Sequence, residues 1–401
     1  MATAGGQLPP AIREHTHSVL LDFCTISSAS GDAPGLDRMA SRLGDELGRH
    51  LAVEIVRERD SHGSLMPVLI ARGPRATDGG LLIVGHLDTV LPAIPPRIEG
   101  DRLIATGALD MKGGLATLVA ALDLLKARNQ QVPADLIFVG VPDEEVEGVI
   151  SEAAVRRWGD RSRAMLVIEP GEARGSAETL VSGRRGLSEW QLVVQGTSAH
   201  SGLAYWQGRS ALAAAARWCE RAYKLSRPGP HVTVNVARLI AGDGDFVLDL
   251  ARHHGLLGTS RRRNVVPDHA RAEGEVRFLS RRDRDRALKQ LQALTARVAE
   301  EHGVTATFTT GVSVPPVDSR GPGEPLVQRT VKLAAERGWT LEVETDRGGI
   351  SFPNYLLEPG KLAVIDGLGP VGDGMHVREE FLDLRSLDRR AVLLADLLAT
   401  L

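Results

Sequence analysis

The chain has 401 residues, 43% hydrophobic and 25% charged, with 48 basic against 51 acidic side chains and a net charge of −3. That composition is ordinary for a soluble globular protein and leaves room for two domains. It offers no electrostatic case for nucleic acid or an anionic membrane, and no run of about 18 apolar residues is present to span a bilayer.

The expected partner is therefore a small molecule or a peptide. Cys24 and Cys219 are the only two cysteines; neither has a CxxC partner, and both are expected to be buried thiols. The N-terminus has no basic region leading into an apolar stretch, so the cytoplasm is the expected location.

From Ala11 to Leu51 the chain reads as two helices separated by the turn Ser27-Ser28-Ala29-Ser30-Gly31-Asp32. Apolar runs at Val68 to Ala71, Leu81 to Val84, Leu136 to Val141 and Met165 to Ile168 have strand character. Leu115, Leu118, Val119, Leu122 and Leu125 recur at helical spacing. This alternation predicts an α/β domain with a mostly parallel sheet.

After Gly183 the pattern changes. Leu187 to Gln195 alternates as a half-exposed strand, Ser210 to Leu225 is an alanine-rich helix, and strands are expected at His231 to Ile240 and Ala272 to Leu279. A helix is expected over Arg284 to His302. The order suggests an α+β unit inserted at residues 183–311, between a first part at 1–182 and a second part at 312–401 of the same α/β domain. The α/β pattern resumes with a helix at Pro325 to Arg337, a strand at Lys361 to Ile365 and a closing helix at Leu384 to Leu401.

The chemistry concentrates at the ends of the predicted strands. His86 and Asp88 follow the run from Leu81, and Asp110 precedes a Gly-Gly step into a helix. His86 offers an imidazole nitrogen, Asp110 a carboxylate able to bind one metal or bridge two, and Asp88 an acceptor for the other ring N–H of His86. Asp143-Glu144-Glu145 follow another strand and Glu169 a third. In open α/β sheets the ligand site lies outside the carboxyl ends of the strands, so these groups are expected to converge. His376, in the glycine-rich loop that starts at Asp366, is a second imidazole candidate.

Taken singly, each feature has a plainer explanation. A His-x-Asp is usually a hydrogen-bonded pair, and an acidic triplet a solvated loop or helix cap. His200 has the alternative of a core histidine, and Arg277, with Arg271, Arg281 and Arg282 nearby, that of a surface ion pair. Arg261-Arg262-Arg263 reads as a solvated charged face, and His15, His17, His253 and His254 as surface residues.

The motifs His86-x-Asp88, Gly107-x-x-Asp110-Met-Lys-Gly-Gly, Asp143-Glu144-Glu145, Glu169-Pro, Thr197-Ser-Ala-His200-Ser-Gly, Asn264-Val-Val-Pro and Gly374-x-His376 resemble the two-zinc metallohydrolases of the glutamate carboxypeptidase, aminoacylase and succinyl-diaminopimelate desuccinylase type. The bacterial folate-cleaving glutamate carboxypeptidases are the nearest match, and the resemblance covers nearly the whole chain.

It implies a zinc-exopeptidase-like catalytic domain with an inserted lid that mediates homodimerisation. It implies two divalent ions, zinc first, with manganese or cobalt as alternatives. Asp110 would bridge them, His86 and Glu169 would hold one, and Glu145 and His376 the other. Glu144 would be the general base and the Asp110–Met111 peptide would be cis. His200 and Asn264 would contact the intermediate or the substrate, and Arg277 would hold a substrate carboxylate. The loop Gly348-Gly349-Ile350-Ser351-Phe352 stands where the family has Gly-Gly-Thr-Ser-Asp, with Gly349 against the substrate.

These residue types suit the chemistry. Two imidazoles and three carboxylates favour Zn, Co or Mn over a thiophilic ion, and adjacent Glu144 and Glu145 can divide ligation from proton transfer. Two segments depart from the family. Leu203-Ala204-Tyr205-Trp206-Gln207-Gly208 replaces an acidic stretch, and Phe352 replaces the usual aspartate. With Tyr355 also close by, an aromatic substrate is one expectation and simple ring packing the other.

The reading is a hydrolase that cleaves an amide bond in a small carboxylate-bearing substrate, an N-acyl amino acid or dipeptide. Its rivals are hydrolysis of a non-peptide aromatic carboxylate releasing an arylamine or ammonia, and a non-catalytic, metal-stabilised binding protein.

Overall fold

The computed structural model describes residues 7–76, 79–146, 148–229, 232–252, 264–318 and 321–401. His253, His254, Arg261 to Arg263 and the expected strand start at His231 lie outside the described residues. Two compact units are present: Met1–Arg184 with Val317–Arg347 and Ser351–Leu401, and Arg185–Pro316 with Gly348–Ile350.

In chain order the first unit opens with helices α1 (Pro10–Thr25) and α2 (Ala33–Leu47), then strands β1 (Ala52–Arg59), β2 (Leu65–Arg72) and β3 (Leu81–His86). Short strands β4 (Arg97–Glu99) and β5 (Arg102–Ile104) precede α3 (Gly113–Ala127), followed by β6 (Leu136–Val141), α4 (Val149–Gly159) and β7 (Ala164–Val167). Strands β8 (Ala173–Arg174) and β9 (Ala177–Val181) end this part.

The second unit comprises β10 (Gly186–Gln195), α5 (Ala211–Tyr223), β11 (Thr233–Gly242), α6 (Gly244–Arg252), β12 (His269–Phe278), α7 (Arg281–His302) and β13 (Thr305–Val314). The chain returns to the first unit through α8 (Glu324–Glu336), β14 (Leu341–Glu344), β15 (Ala363–Ile365), β16 (Gly372–Asp373), β17 (Phe381–Asp383) and α9 (Leu384–Leu398).

The first unit is built on a six-stranded sheet in the order β1-β2-β6-β3-β7-β15. Strands β6, β3, β7 and β15 are parallel, and β2 and β1 add antiparallel at one edge. Every residue of β3 and β6 is buried, which is why both read as continuous apolar runs rather than as alternating ones. Helix α3 is buried from Gly113 to Leu125, with α1 and α9 packed against it. Among the described residues no helix is long and apolar enough to cross a membrane.

The second unit is a four-stranded antiparallel sheet, β11-β12-β10-β13. Along β10 burial alternates, with Trp190, Leu192 and Val194 inward. Trp190 meets Trp218 of α5 at 5.0 Å between centroids, and Trp218 donates Nε1–H to Thr295 of α7 at 2.9 Å. An α/β domain with a mostly parallel sheet and an inserted α+β unit is thus what the chain forms.

Several elements were not read from sequence, β1, α4 and α6 among them. Strand β1 is an edge strand, exposed over most of its length and rich in charge, so it lacks an apolar pattern. Helix α4 is short and opens at Gly148 in left-handed conformation, with φ of 63°. Helix α6 separates two strands expected to be consecutive; the Asp243 carboxylate accepts from Phe246 N–H at 3.3 Å at its start.

His15 and His17 lie partly exposed on α1, facing Glu46 at 3.0 Å and Asp388 at 3.2 Å. Cys24 is buried and Cys219 partly so. Burial pushes their thiols up to about 12 and about 11, away from reactivity.

Arg390 of α9 is fully buried and ties that helix to β9. It donates Nε–H to Glu178 at 2.7 Å, Nη1–H to the Gly367 carbonyl at 2.9 Å and Nη2–H to the Thr179 carbonyl at 2.8 Å. Arg389 also donates to Glu178, so Arg390→Ala leaves that carboxylate one partner but strands the Gly367 and Thr179 carbonyls, and should cost about 3 kcal/mol. Urea unfolding followed by far-UV circular dichroism checks this, and a midpoint unchanged from wild type would contradict it.

Candidate metal centre

Neighbouring strands β6, β3 and β7 end side by side, and the acidic residues follow those ends. His86 closes β3, Glu144 and Glu145 lie in the turn after β6, and Glu169 comes just past β7. Asp110 sits in the turn before α3. That turn approaches the sheet closely, because a Cβ on Gly114 would lie 2.0 Å from the Ile168 carbonyl oxygen, so only glycine admits Asp110 beside Glu169. The Asp110–Met111 peptide is cis, as the resemblance implies.

The two oxygens of Asp110 face different imidazoles. Oδ1 lies 3.1 Å from His86 Nε2, which is also 3.6 Å from Glu169 Oε1. Oδ2 lies 3.4 Å from His376 Nε2, which is also 3.2 Å from Glu145 Oε2. Possible ligand atoms of His86, Glu144 and Glu169, and of His86, Asp110 and Glu145, fall within 4.8 Å of one another. Glu144 is therefore within ligand reach as well as beside the cluster. His376 holds a left-handed backbone, φ 67°, an uncommon conformation for a non-glycine residue. Its side chain is 56% exposed while that of His86 is fully buried, so of the two imidazoles only His376 meets solvent.

The electrostatics fit a cation site. Four carboxylates share this space with two imidazoles. Burial, reinforced by Asp110, pushes Glu144 up to about 7 and Glu145 up to about 8, against the opposing effect of His86. Burial likewise drives Glu169 well above the usual carboxylate range. Asp110 goes the other way, since hydrogen bonds from His376 and His86 outweigh its burial. His86 is raised well above the ordinary imidazole value because Glu169 and Asp110 outweigh its burial, and the Asp110 hydrogen bond lifts His376 to about 9. Such a cluster holds protons unless divalent cations take their place.

Asp88 accepts from the His86 ring as expected, and does so with its main chain. The acceptor for His86 Nδ1 is the Asp88 backbone carbonyl at 2.9 Å, while its carboxylate Oδ1 stands 3.5 Å away. A carbonyl only accepts, so the neutral ring carries its proton on Nδ1 and turns the Nε2 lone pair to the cluster. The Asp88 carboxylate instead accepts from Ser30 Oγ at 2.7 Å and from the N–H groups of Glu144 and Glu145, each at 3.2 Å, holding that turn in place. Asp143 acts on its other side, accepting from Ile150 N–H at 2.7 Å and Ser151 N–H at 2.9 Å to cap α4.

Phe352 is fully buried, its ring 6.4 Å from that of His86, so it packs behind the cluster. A cavity of about 630 Å³ borders Glu145, with Ser30, Asp60, His62, Met66 and Val146 among its lining.

The second unit groups the remaining sequence candidates in two pairs. His200 bridges to Val265, and the Asn264 carbonyl accepts from Ser201 N–H at 2.9 Å, so His200 and Asn264 are neighbours. His200 Nδ1 accepts from Gly202 N–H at 3.1 Å and Leu203 N–H at 3.2 Å, which leaves Nε2 as the N–H donor. Arg277 donates Nε–H and Nη2–H to Glu275 at 2.9 and 3.1 Å, and Nη1–H to the Gly348 carbonyl at 3.3 Å beside Gly349. The ion pair anticipated as the plainer reading of Arg277 is therefore formed. Tyr205 and Trp206 are exposed and meet edge to face at 5.1 Å, outside that unit's core.

Residues 82–400 match the profile of peptidase family M20/M25/M40. Carboxypeptidase G2 of Pseudomonas sp. (strain RS-16) is 26% identical over 383 residues, covering 94% of this chain and 86% of its own. The solved structure of the aminopeptidase PepT from Bacillus cereus ATCC 10987 aligns with a TM-score of 0.77 and 20% identity, over 96% of this chain and 98% of that one. The YXEP protein of Bacillus subtilis, a dinuclear metal binding peptidase of the M20 family, aligns at 0.68 with 17% identity, over 98% and 99%.

The raised carboxyls and His376 set the sign of a pH effect. Ligation needs their deprotonated forms, so divalent-ion affinity should fall as pH drops from about 9 through 8 to 7, with protons released on binding. Without cations the folded state keeps protons that the unfolded chain gives up, so stability should decline as pH rises from about 4.5, where the unfolded carboxyls ionise, to about 9. Calorimetric titration with zinc in buffers of different ionisation enthalpy reads the proton count, and a count of zero near pH 7 would contradict the assignment.

Proposed function

Because the chain belongs to peptidase family M20/M25/M40 and is a hydrolase of C–N bonds, we propose that it cleaves the amide bond of a small substrate with a free carboxylate, an N-acyl amino acid or a dipeptide. The observation that carries this reading is the placement of Asp110, one oxygen toward His86 and the other toward His376, with Glu144 alongside. Two divalent ions, zinc first with manganese or cobalt as alternatives, would be held by His86, Asp110 and Glu169 and by Asp110, Glu145 and His376, and would supply an acidified water and a Lewis acid.

The protein's own groups divide the remaining work. Glu144 takes the proton of the attacking water and delivers it to the leaving nitrogen. In the cation-free protein burial pushes its carboxyl up to about 7. His200 donates Nε2–H to the developing oxyanion, a contribution of about 3 kcal/mol, with Asn264 beside it. Arg277 takes the substrate carboxylate on its Nη1 side and Gly349 lets the substrate approach, since Glu275 occupies the Nε and Nη2 edge.

Family membership favours this reading over a non-peptide aromatic substrate, and the buried position of Phe352 removes one support for aromatic recognition. Membership of a peptidase family likewise favours it over a binding protein without activity.

Glu144→Gln should keep ion uptake, read by calorimetry, and lose about 10²–10⁴-fold in kcat. Wild-type turnover in that variant would remove Glu144 from its role. His200→Ala should lose about 10²–10³-fold in kcat, and an unchanged kcat would take the oxyanion away from it. The parent assay is amine release by protein loaded separately with Zn, Mn or Co, from N-acyl amino acids, dipeptides, aryl-glutamates and aminobenzoates. Turnover confined to the aminobenzoates would overturn the peptide-like substrate class.

A further inference from the structure

Glu380 is a buried carboxylate to which the proposed chemistry gives no task. It is 3% exposed, and its side chain reaches the turn that carries Asp110. Oε1 accepts from Leu109 N–H at 2.7 Å and from Asp110 N–H at 2.9 Å, and Oε2 accepts from Gly107 N–H at 2.8 Å. Its main-chain carbonyl accepts from Ala105 N–H at 3.1 Å. One residue therefore satisfies four main-chain N–H groups, those of Ala105, Gly107, Leu109 and Asp110.

The same residue is tied to the other imidazole loop. Glu380 N–H donates to the Val377 carbonyl at 3.2 Å, closing the turn directly after His376. Next to it, β17 pairs with β5 through Phe381 and Ile104, which lays the His376 segment along the Asp110 segment. Gly107, left-handed at φ 70°, completes the turn, and a Cβ there would lie 2.3 Å from Thr89 Cγ2.

A buried carboxylate is costly to desolvate, and this one is held by three main-chain N–H groups that an apolar residue would leave unpaired, so it fixes the backbone that bears them. An ion bridge tolerates displacements of only about 0.2 Å in ligand distance. We infer that Glu380 is a positioning residue, which sets Asp110 between the two imidazoles and couples the His376 loop to it. The inference rests on the two-ion reading above.

The test is titration of the full-length protein with Zn and with Co, by calorimetry and by the visible Co spectrum, for wild type, Glu380→Gln, Glu380→Asp and Glu178→Gln. Glu178→Gln disturbs a buried ion pair that includes no proposed ligand and serves as the measure of plain destabilisation. The expected result is two ions per wild-type chain and about 10–100-fold weaker binding of both in whichever Glu380 variant folds, with a shifted Co spectrum. Both ions are affected because Asp110 serves both. Glu178→Gln should lower the melting temperature and leave ion affinity and spectrum as in wild type.

Wild-type affinity and spectrum in a folded Glu380 variant would overturn the positioning role while leaving the two-ion reading intact. Equal loss of affinity in Glu178→Gln would overturn it too, by reducing Glu380 to general stability. A wild-type chain that binds fewer than two ions would defeat the two-ion reading, and the inference with it.

Discussion

Four carboxylates crowded against two imidazoles at the ends of three adjacent strands form the constraint to which the rest of the first unit answers. Burial and mutual repulsion oppose their ionisation, and the imidazoles offset only part of that cost. Protons or divalent cations can relieve the conflict, and only cations leave the carboxylates free to act as ligands. The surrounding fold holds the conflicting groups in place. Sheet order puts three strand ends together, Gly114 lets the Asp110 turn press onto β7's extension, and the Asp88 carboxylate holds the Glu144–Glu145 turn.

The parts legible in sequence were those in which one residue type does one thing. Buried parallel strands such as β3 and β6 read as apolar runs because both faces are covered, and α3 announces itself by helical spacing. Groups at strand ends were found because topology dictates where an α/β sheet binds its ligand. What escaped depends on long-range geometry. Strand β1 is held by pairing with β2 and by ion pairs such as Arg72 with Glu54, which leave no periodic trace.

Asp88 shows what a residue-level reading leaves open: the acceptor of the His86 ring N–H was identified, but not which of its atoms accepts. Its carbonyl serves the His86 ring and its carboxylate serves the next turn, a division of labour that no spacing rule distinguishes. Glu380 was not singled out at all, because its partners are main-chain N–H groups and these have no side-chain signature.

In the second unit the geometry narrows roles rather than assigning them. His200 accepts two backbone N–H groups on Nδ1, so the ring presents a donor to whatever it meets on Nε2. Arg277 is already half satisfied by Glu275, so any carboxylate it receives competes with an internal one, and selection for a terminal carboxylate depends on the Nη1 side next to Gly348.

Phe352 brings the argument back to the crowded carboxylates. Where the resemblance leads one to expect an aspartate, this chain places an apolar ring 6.4 Å from His86 and seals it from water. A fifth acid there would deepen the electrostatic conflict or be neutralised by a proton. A phenyl ring instead excludes water from the buried His86 side and lowers the local dielectric, which strengthens every charge interaction in that half of the site. His376 remains open to solvent. The two imidazoles of the centre thus differ in their surroundings, His86 sealed and His376 exposed, while the carboxylates between them are nearly buried on both sides. Substrate and exchangeable ions would meet the protein first on the His376 side.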